Sequence, residues 1–435
     1  MKIPKLKIPI IIGLILMMGG TCTGLTLAYA SPSAAYIIEK FKLTSMQNTW
    51  FNVSAFICAI VGAVSINAFI PKFGKPVCTF VGTIFYALSF CIIGVAEKFW
   101  LLMLFRCING FTCGFYSTLI PCQLAENSPP GKINLYGYLF QIGLAIGYLL
   151  PSLFGFFSDY RQIAFLCMIP PLILVCGSLF IPRIESENVS KVSPFVVFKY
   201  PKQLVISFLL MFFLQFSGIN ALMSNLEPII INSKIGASPS LIATIANLSQ
   251  ILLTIVSAFI VDKLGNKFCW ISSAAAQLLA FILLCLQQKL NLHGAVFMVG
   301  LFIEQMGYGF GTGPIPFSLA AQLFPPDVSA VAVGLATGIS WVLSSTIVFL
   351  WPVMESGMGL GYSFLFFAGV SLLSVIFGIF VVQGKQKNEE KEEKEQSDID
   401  IDSYYNSTSS QESSESTSTS SSTSSKKDSS QNIEV

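Results

Sequence analysis

The sequence predicts an all-α membrane protein, with twelve transmembrane helices in two pseudo-symmetric six-helix bundles. Three observations predict it. The chain of 435 residues is 53% hydrophobic and 11% charged, less than half the share of roughly 25% charged residues in soluble domains. Such a chain cannot cover itself with polar surface in water. Its apolar residues fall in twelve runs of about 20 residues, the length at which a helix crosses the hydrocarbon layer. Six runs precede a polar connection and six follow it.

In order, the first six runs are Ile8–Tyr29, Trp50–Ile70, Val77–Ala96, Phe99–Pro121, Leu135–Phe157 and Ile163–Ile181. The second six are Leu204–Ile231, Leu241–Val261, Phe268–Leu286, Ala295–Leu323, Val328–Leu350 and Met358–Val382. Basic residues in the short loops set the orientation. With the N-terminus cytoplasmic, Lys72, Lys75, Lys132, Lys263 and Lys267 lie inside, as do the basic residues of the N-terminus and the central connection. Lys40, Lys42, Lys98, Arg161, Lys234 and Lys289 lie outside. The inside excess is about twofold, so both termini are expected in the cytoplasm. A cleaved signal peptide is the competing reading of the first thirty residues, but the apolar run is longer than an ordinary signal core. The plasma membrane is the default location.

The expected organisation is a first bundle over residues 1–182, a cytoplasmic linker over 183–203, a second bundle over 204–383 and a tail over 384–435. The tail is charged, then rich in serine, and has too little apolar content to bury a core. It is expected to be a disordered cytoplasmic segment, open to kinases or cytosolic partners or a plain solvated extension. A weak repeat relates the bundles. Lys72-Phe-Gly-Lys75 follows the second run of the first half, and Asp262-Lys-Leu-Gly-Asn-Lys267 follows the second run of the second half. Paired bundles of this kind hold substrate between them, near the midplane.

Several chemistries are excluded. The eleven cysteines have no metal-ligand spacing, and the single histidine, His293, rules out histidine clusters and histidine triads. No enzyme motif is present, and no cofactor or metal is expected. The net charge of +2 comes without a basic patch interleaved with aromatic residues, so no nucleic-acid partner is expected.

The stretch Gly307-Tyr-Gly-Phe-Gly-Thr-Gly-Pro-Ile-Pro-Phe317 poses the main question. A dinucleotide loop needs a strand before it and a helix after it, whereas membrane-length apolar runs flank this one. Glycine lets helices approach closely. Proline frees backbone groups that only protein or a watery cavity can satisfy at this depth. The stretch therefore reads as a broken helix lining a cavity.

At this point the residues resemble the sugar porters of the major facilitator superfamily, the group that contains the facilitative glucose transporters. The motifs are Gly311-Thr-Gly-Pro-Ile-Pro316, Gln215-Phe-Ser-Gly-Ile-Asn220, Arg106-Cys-Ile-Asn-Gly110, Glu126-Asn-Ser-Pro129, Gln141-Ile-Gly-Leu-Ala-Ile-Gly147, Asp262 to Lys267 and Pro182-Arg-Ile-Glu185. Each is weak alone, and their shared order carries the likeness. It implies a major facilitator fold and a hexose carrier that works by alternating access. A hexose is neutral and covered in hydroxyls, and amides meet it as both donor and acceptor. The resemblance implies that Gln141, Gln215 and Asn220 hold the sugar. Gln250 stands where Asn is common. Trp341 offers an apolar face, and Phe317 replaces the Trp after Pro-Ile-Pro. Gly311, Gly313, Pro314 and Pro316 would let span ten bend during gating.

The departures sharpen the expectation. Leu214, Ser224-Asn225, Gly309, Ser340 and Ser344 differ from the family pattern, which leaves the sugar unnamed. Proton-driven relatives place an Asp in span one near the span-four arginine, and here Cys22 holds that position. Arg106 thus lacks its titrating partner, and facilitated diffusion is expected over proton symport. Glu227 and Glu304 are the acids that would reverse this. Lys72, Arg106, Glu126, Asp262 and Lys267 form the expected gating set, weakened by Gln322 and Ser329, which replace a Glu and an Arg. A sugar receptor signalling through the tail is the alternative from another class.

Overall fold

The computed structural model describes residues 7–129, 132–181, 194–233, 236 and 238–382. The tail over 384–435, residue 182 and residues 183–193 of the linker lie outside them. Every regular element among the described residues is a helix, with no strand among them.

The first half holds α1 (Lys7–Ala28), α2 (Ala30–Phe41), α3 (Ser45–Phe73), α4 (Lys75–Val95), α5 (Phe99–Glu126), α6 (Ile133–Gly155), α7 (Tyr160–Leu166) and α8 (Ile169–Ser178). A 3₁₀ turn at Pro194–Lys199 leads to the second half. There, α9 (Pro201–Phe216), α10 (Ile219–Ser224) and α11 (Leu226–Asn232) form a span in three pieces. Then come α12 (Pro239–Leu264), α13 (Asn266–Leu290), α14 (Gly294–Gly307), a π turn (Tyr308–Thr312), α15 (Ile315–Gln322) and α16 (Pro326–Phe380).

Ten segments are long and apolar enough to cross a membrane. The last, Val331–Phe380, has 50 residues and turns at Gly359, where φ is 80°, so it crosses twice. α14, the π turn and α15 form a further crossing too interrupted to count as one helix. The total agrees with the twelve apolar runs. The runs did not show α2, which carries the first span beyond Tyr29.

The repeat is visible in the backbone. Gly74 joins α3 to α4 with φ 77° and ψ 156°, and Gly265 joins α12 to α13 with φ 79° and ψ 153°. Both turns need a positive φ that glycine adopts without a steric cost. α3 starts at a capping box: the Gln47 amide N donates to Thr44 Oγ1 at 3.3 Å and the Thr44 amide N to Gln47 Oε1 at 2.9 Å.

Small residues set the helix spacing in the first half. A Cβ at Gly24 of α1 would stand 2.1 Å from the Leu144 carbonyl oxygen of α6, and one at Gly114 of α5 1.9 Å from that of Ala59 in α3. Such approach is how membrane helices gain contact without a hydrophobic drive. Between the halves, α6 packs on α12 and α3 on α16.

The glycine-rich stretch is a broken helix, as its composition predicts. Gly313 N donates to the Tyr308 carbonyl at 3.0 Å, one residue wider than an α turn. Two serines take freed backbone groups. Ser273 Oγ donates to the Gly307 carbonyl at 2.5 Å and accepts from Thr312 N at 2.9 Å. Ser257 Oγ donates to the Phe310 carbonyl at 2.5 Å. The break persists at membrane depth because α12 and α13 satisfy it.

Candidate functional site

A small cavity of about 30 Å³ lies where the halves meet. α1 contributes Thr23 and Leu27 to its wall, α5 Ser117, and α6 Phe140, Gln141, Leu144 and Tyr148. The second half contributes Leu214 and Gln215 from α9, Asn220 from α10, Tyr308 from the π turn, Phe317 from α15, and Thr337, Ser340 and Trp341 from α16. That volume holds about two water molecules, whereas small-molecule pockets run to roughly 300–1,000 Å³. A cavity of that volume cannot hold a sugar unless its walls move apart.

The polar groups of this wall bond to one another across the helix breaks. Gln215 Nε2 donates to Ser340 Oγ at 2.5 Å, and Gln215 Oε1 accepts from Asn220 Nδ2. Asn220 Nδ2 also donates to Ser344 Oγ at 2.8 Å, and Tyr148 of the other half donates to Asn220 Oδ1 at 3.5 Å. Gly218, with φ 88°, starts α10 after the end of α9 and turns Asn220 back toward Gln215. Trp341 Nε1 donates to Ser117 Oγ at 2.8 Å, a further bond between halves. Phe317 meets Phe140 edge-on at 6.4 Å. Gln141 is buried, and its Nε2 has no partner among the described residues. A Cβ at Gly313 would stand 3.0 Å from that nitrogen, so glycine here lets the amide reach the π turn.

Five of the six predicted wall residues thus come together: Gln141, Gln215, Asn220, Trp341 and Phe317. Gln250 does not reach the cavity, contrary to expectation. It is fully buried behind the π turn, with its Cγ 3.2 Å from where a Cβ of Gly309 would sit, and neither amide atom has a partner among the described residues. The rotation of α12 aims it at span ten. Tyr148, Tyr308 and Thr23 joined the wall without a sequence signal. Ser340 and Ser344 had stood out only as departures, and their hydroxyls engage the two amides.

The gating set is more scattered. Gly311, Gly313, Pro314 and Pro316 lie at the break, where a Cβ at Gly311 would meet the Cys269 carbonyl oxygen at 2.5 Å. Lys72 is exposed in the last turn of α3, Asp262 is exposed near the end of α12, and Lys267 is half-buried at the start of α13. Glu126 pairs with Lys75, inside its own half rather than across the gate. The other described ion pairs, Lys40–Glu97 and Arg161–Glu97, also stay in the first half. The side chains of Gln322 and Ser329 lie outside the described set. At the far end of the bundle, the Glu227 amide N donates to Ser31 Oγ of α2 at 3.0 Å, a seal made by backbone and hydroxyl.

Arg106 sits inside the first half. Its Nη1 donates to the Thr26 carbonyl at 2.7 Å, and its guanidinium lies 5.3 Å from the Phe51 ring centroid and 5.9 Å from that of Tyr29. The Cys22 carbonyl accepts instead from Tyr86. No ion pair to Arg106 occurs among the described residues.

The family of the Sugar (and other) transporter matches residues 12–188 and 184–393, most of the chain. This chain belongs to the sugar transporter family. Among relatives of the transporter, Sugar transporter ERD6-like 8 of Arabidopsis thaliana is 25% identical over 407 residues, covering 82% of this chain and 85% of the relative. Solute carrier family 2, facilitated glucose transporter member 8, of Mus musculus is 25% identical, covering 84% of this chain and 89% of its own. The proton:xylose symporter XylE bound to 6-bromo-6-deoxy-D-glucose superposes with a TM-score of 0.76 at 16% identity, over 88% of this chain and 97% of that one. That likeness establishes the fold, which is the major facilitator fold.

Proposed function

We propose that the transporter carries a hexose-like neutral sugar across the plasma membrane by alternating access, down the sugar's gradient. Gln215, Asn220, Ser340 and Tyr148 converge on a closed cavity between the halves, and this convergence supports the reading most. A sugar hydroxyl exchanges bonds with these groups one for one, so desolvating them on binding costs little, while an unpaired amide would cost about 1–3 kcal/mol. The closed volume supports a cycle in which span ten bends at its π turn to admit the sugar. The halves are read as two bundles over 1–182 and 204–383, with both termini cytoplasmic and the tail a site for cytosolic partners.

The absence of any acid against Arg106 among the described residues favours facilitated diffusion. Glu304 favours a second reading, proton symport. It is fully buried in α14, and neither carboxyl oxygen has a partner among the described residues. One assay separates the two. Purified protein in proteoliposomes is preloaded with glucose, and entry of labelled glucose is followed with and without an inward proton gradient. Uniport gives entry that the gradient leaves unchanged and that Gln141→Ala abolishes. Extra accumulation with the gradient would establish symport. No entry of glucose, other hexoses or polyols by folded protein would sink the transport reading and bring forward a sugar receptor.

A further inference from the structure

Arg106 belongs to the expected gating set, yet it lies away from the cavity wall and its surroundings leave a charge uncompensated. The guanidinium is always protonated and carries five N–H donors. It is 0% exposed, seven residues into α5 and so about 10 Å along that helix. Charged side chains at such depth are paired with one another or with backbone carbonyls, because they are expensive otherwise. Here the Thr26 carbonyl takes Nη1, and the rings of Phe51 and Tyr29 lie against the cation. Aromatic faces offset part of the charge, but they do not replace hydrogen-bond acceptors in the plane of the guanidinium. Nε and Nη2 find no acceptor among the described residues.

The hydroxyls and amides around the Thr26 carbonyl and the Tyr29 ring are bonded elsewhere. The Thr26 hydroxyl bonds Tyr86 and Asn109, Asn109 Nδ2 donates to Ser89 Oγ at 3.0 Å, and Tyr29 Oη donates to the Tyr160 carbonyl at 2.9 Å. The carboxylates in the described ion pairs of this half, Glu97 and Glu126, serve Lys40, Arg161 and Lys75. The Nε–Nη2 edge is therefore a fork of two donors bearing a full charge, with no counterion supplied by the described chain. Leaving a buried charge without its partner typically costs about 3–5 kcal/mol.

We propose that the Nε–Nη2 edge of Arg106 binds a small monovalent inorganic anion of the chloride class, which acts as the missing counterion of the first half. The proposal is independent of what the central cavity carries. An anion here would lock α5 to α1 and α3 through the guanidinium.

The test uses purified full-length protein in sodium chloride or sodium gluconate at equal ionic strength. Thermal unfolding is measured in detergent, and sugar counterflow in proteoliposomes. Chloride is expected to raise the melting temperature and the counterflow rate, both saturably. Arg106→Gln should lose the whole chloride-dependent rise. Phe51→Glu, which sets a carboxylate against the guanidinium, should lose it too, whereas Phe51→Leu should keep it. Identical wild-type melting in the two salts would overturn the proposal, even if the variants fail to fold. So would a full chloride effect in Arg106→Gln. Saturable chloride stabilisation without flux of any sugar would leave the anion site standing and remove the transport reading. Sugar flux with flat melting would do the reverse.

Discussion

The two halves share a topology and differ in how deeply their spans are broken. In the first half the spanning helices α3 to α6 run unbroken, and buried hydroxyls and amides close on one another. Thr79 Oγ1 donates to Gln123 Oε1 at 2.8 Å, Tyr116 Oη donates to the Thr79 carbonyl at 2.9 Å, and Thr26, Tyr86 and Asn109 form one network. In the second half two spans are broken, at Gly218 and at the π turn, and buried polar atoms of Gln250, Gln277, Glu304 and Gln305 lack partners among the described residues. Unmet polar groups make a packed state less favourable than it would otherwise be. Arg106, Gln141 and Tyr136 of the first half also keep buried atoms without partners among the described residues, so it is the breaks beside the cavity, and not unmet groups alone, that mark the first half as a frame and the second as the part with alternatives. On the proposed function, alternating access requires two states close in free energy, and unmet groups beside a break would provide that closeness.

Substitutions can break this comparison, beginning with the largest effect. Gly114→Leu forces a side chain into the Ala59 carbonyl and should yield no folded protein by size-exclusion chromatography. Gly369→Leu in α16, where a Cβ meets nothing within 4 Å, should elute normally. A folded Gly114→Leu would mean the first half is not a frame.

The next contrast separates stability from binding. Gln215→Ala strips Ser340 and Asn220 of a partner and, on the proposed function, removes a sugar contact. Apparent sugar affinity in counterflow should drop about 10–100-fold, the equivalent of roughly 1–3 kcal/mol. Thr26→Val in the first half should instead lower the melting temperature and leave apparent affinity unchanged. The reverse pattern would place the sugar contacts in the frame.

Smaller still is the effect of mending the break. Pro314→Ala restores a backbone donor at the end of the π turn. It should slow exchange several-fold while equilibrium sugar binding stays the same, since bending and not contact is affected. An unchanged exchange rate would make the break a packing feature only.

The smallest expected effect is a pH dependence at the rim of the frame. Lys40, and then Arg161, hold the Glu97 carboxyl below its ordinary value. A depressed carboxyl stabilises the folded state above its unfolded value and loses that contribution as pH falls through its folded one. The loss should therefore begin below about pH 4 and be slight, because exposed pairs are screened. Glu97→Gln should flatten this acid limb of melting temperature against pH, and an unaltered limb would assign it to other carboxyls.

What the sequence by itself determined is what depends on local order along the chain. Apolar run length set the crossings, because the bilayer demands a fixed length of satisfied backbone. Gly307 to Pro316 set a break, because too many glycines and prolines fall together for an α-helix to continue. Gly74 and Gly265 set matching turns. Tertiary structure alone decided which side chains meet. Gln250 turned to span ten, Glu126 closed on Lys75, and Tyr148, Tyr308 and Ser340 entered the cavity wall. Arg106 came to rest against two rings and a carbonyl. These outcomes depend on how each helix rotates about its axis and how closely its neighbours pack. In a chain that is apolar nearly all the way round each helix, hydropathy marks no inner face, so facing is settled by small residues and hydrogen bonds between helices far apart in sequence.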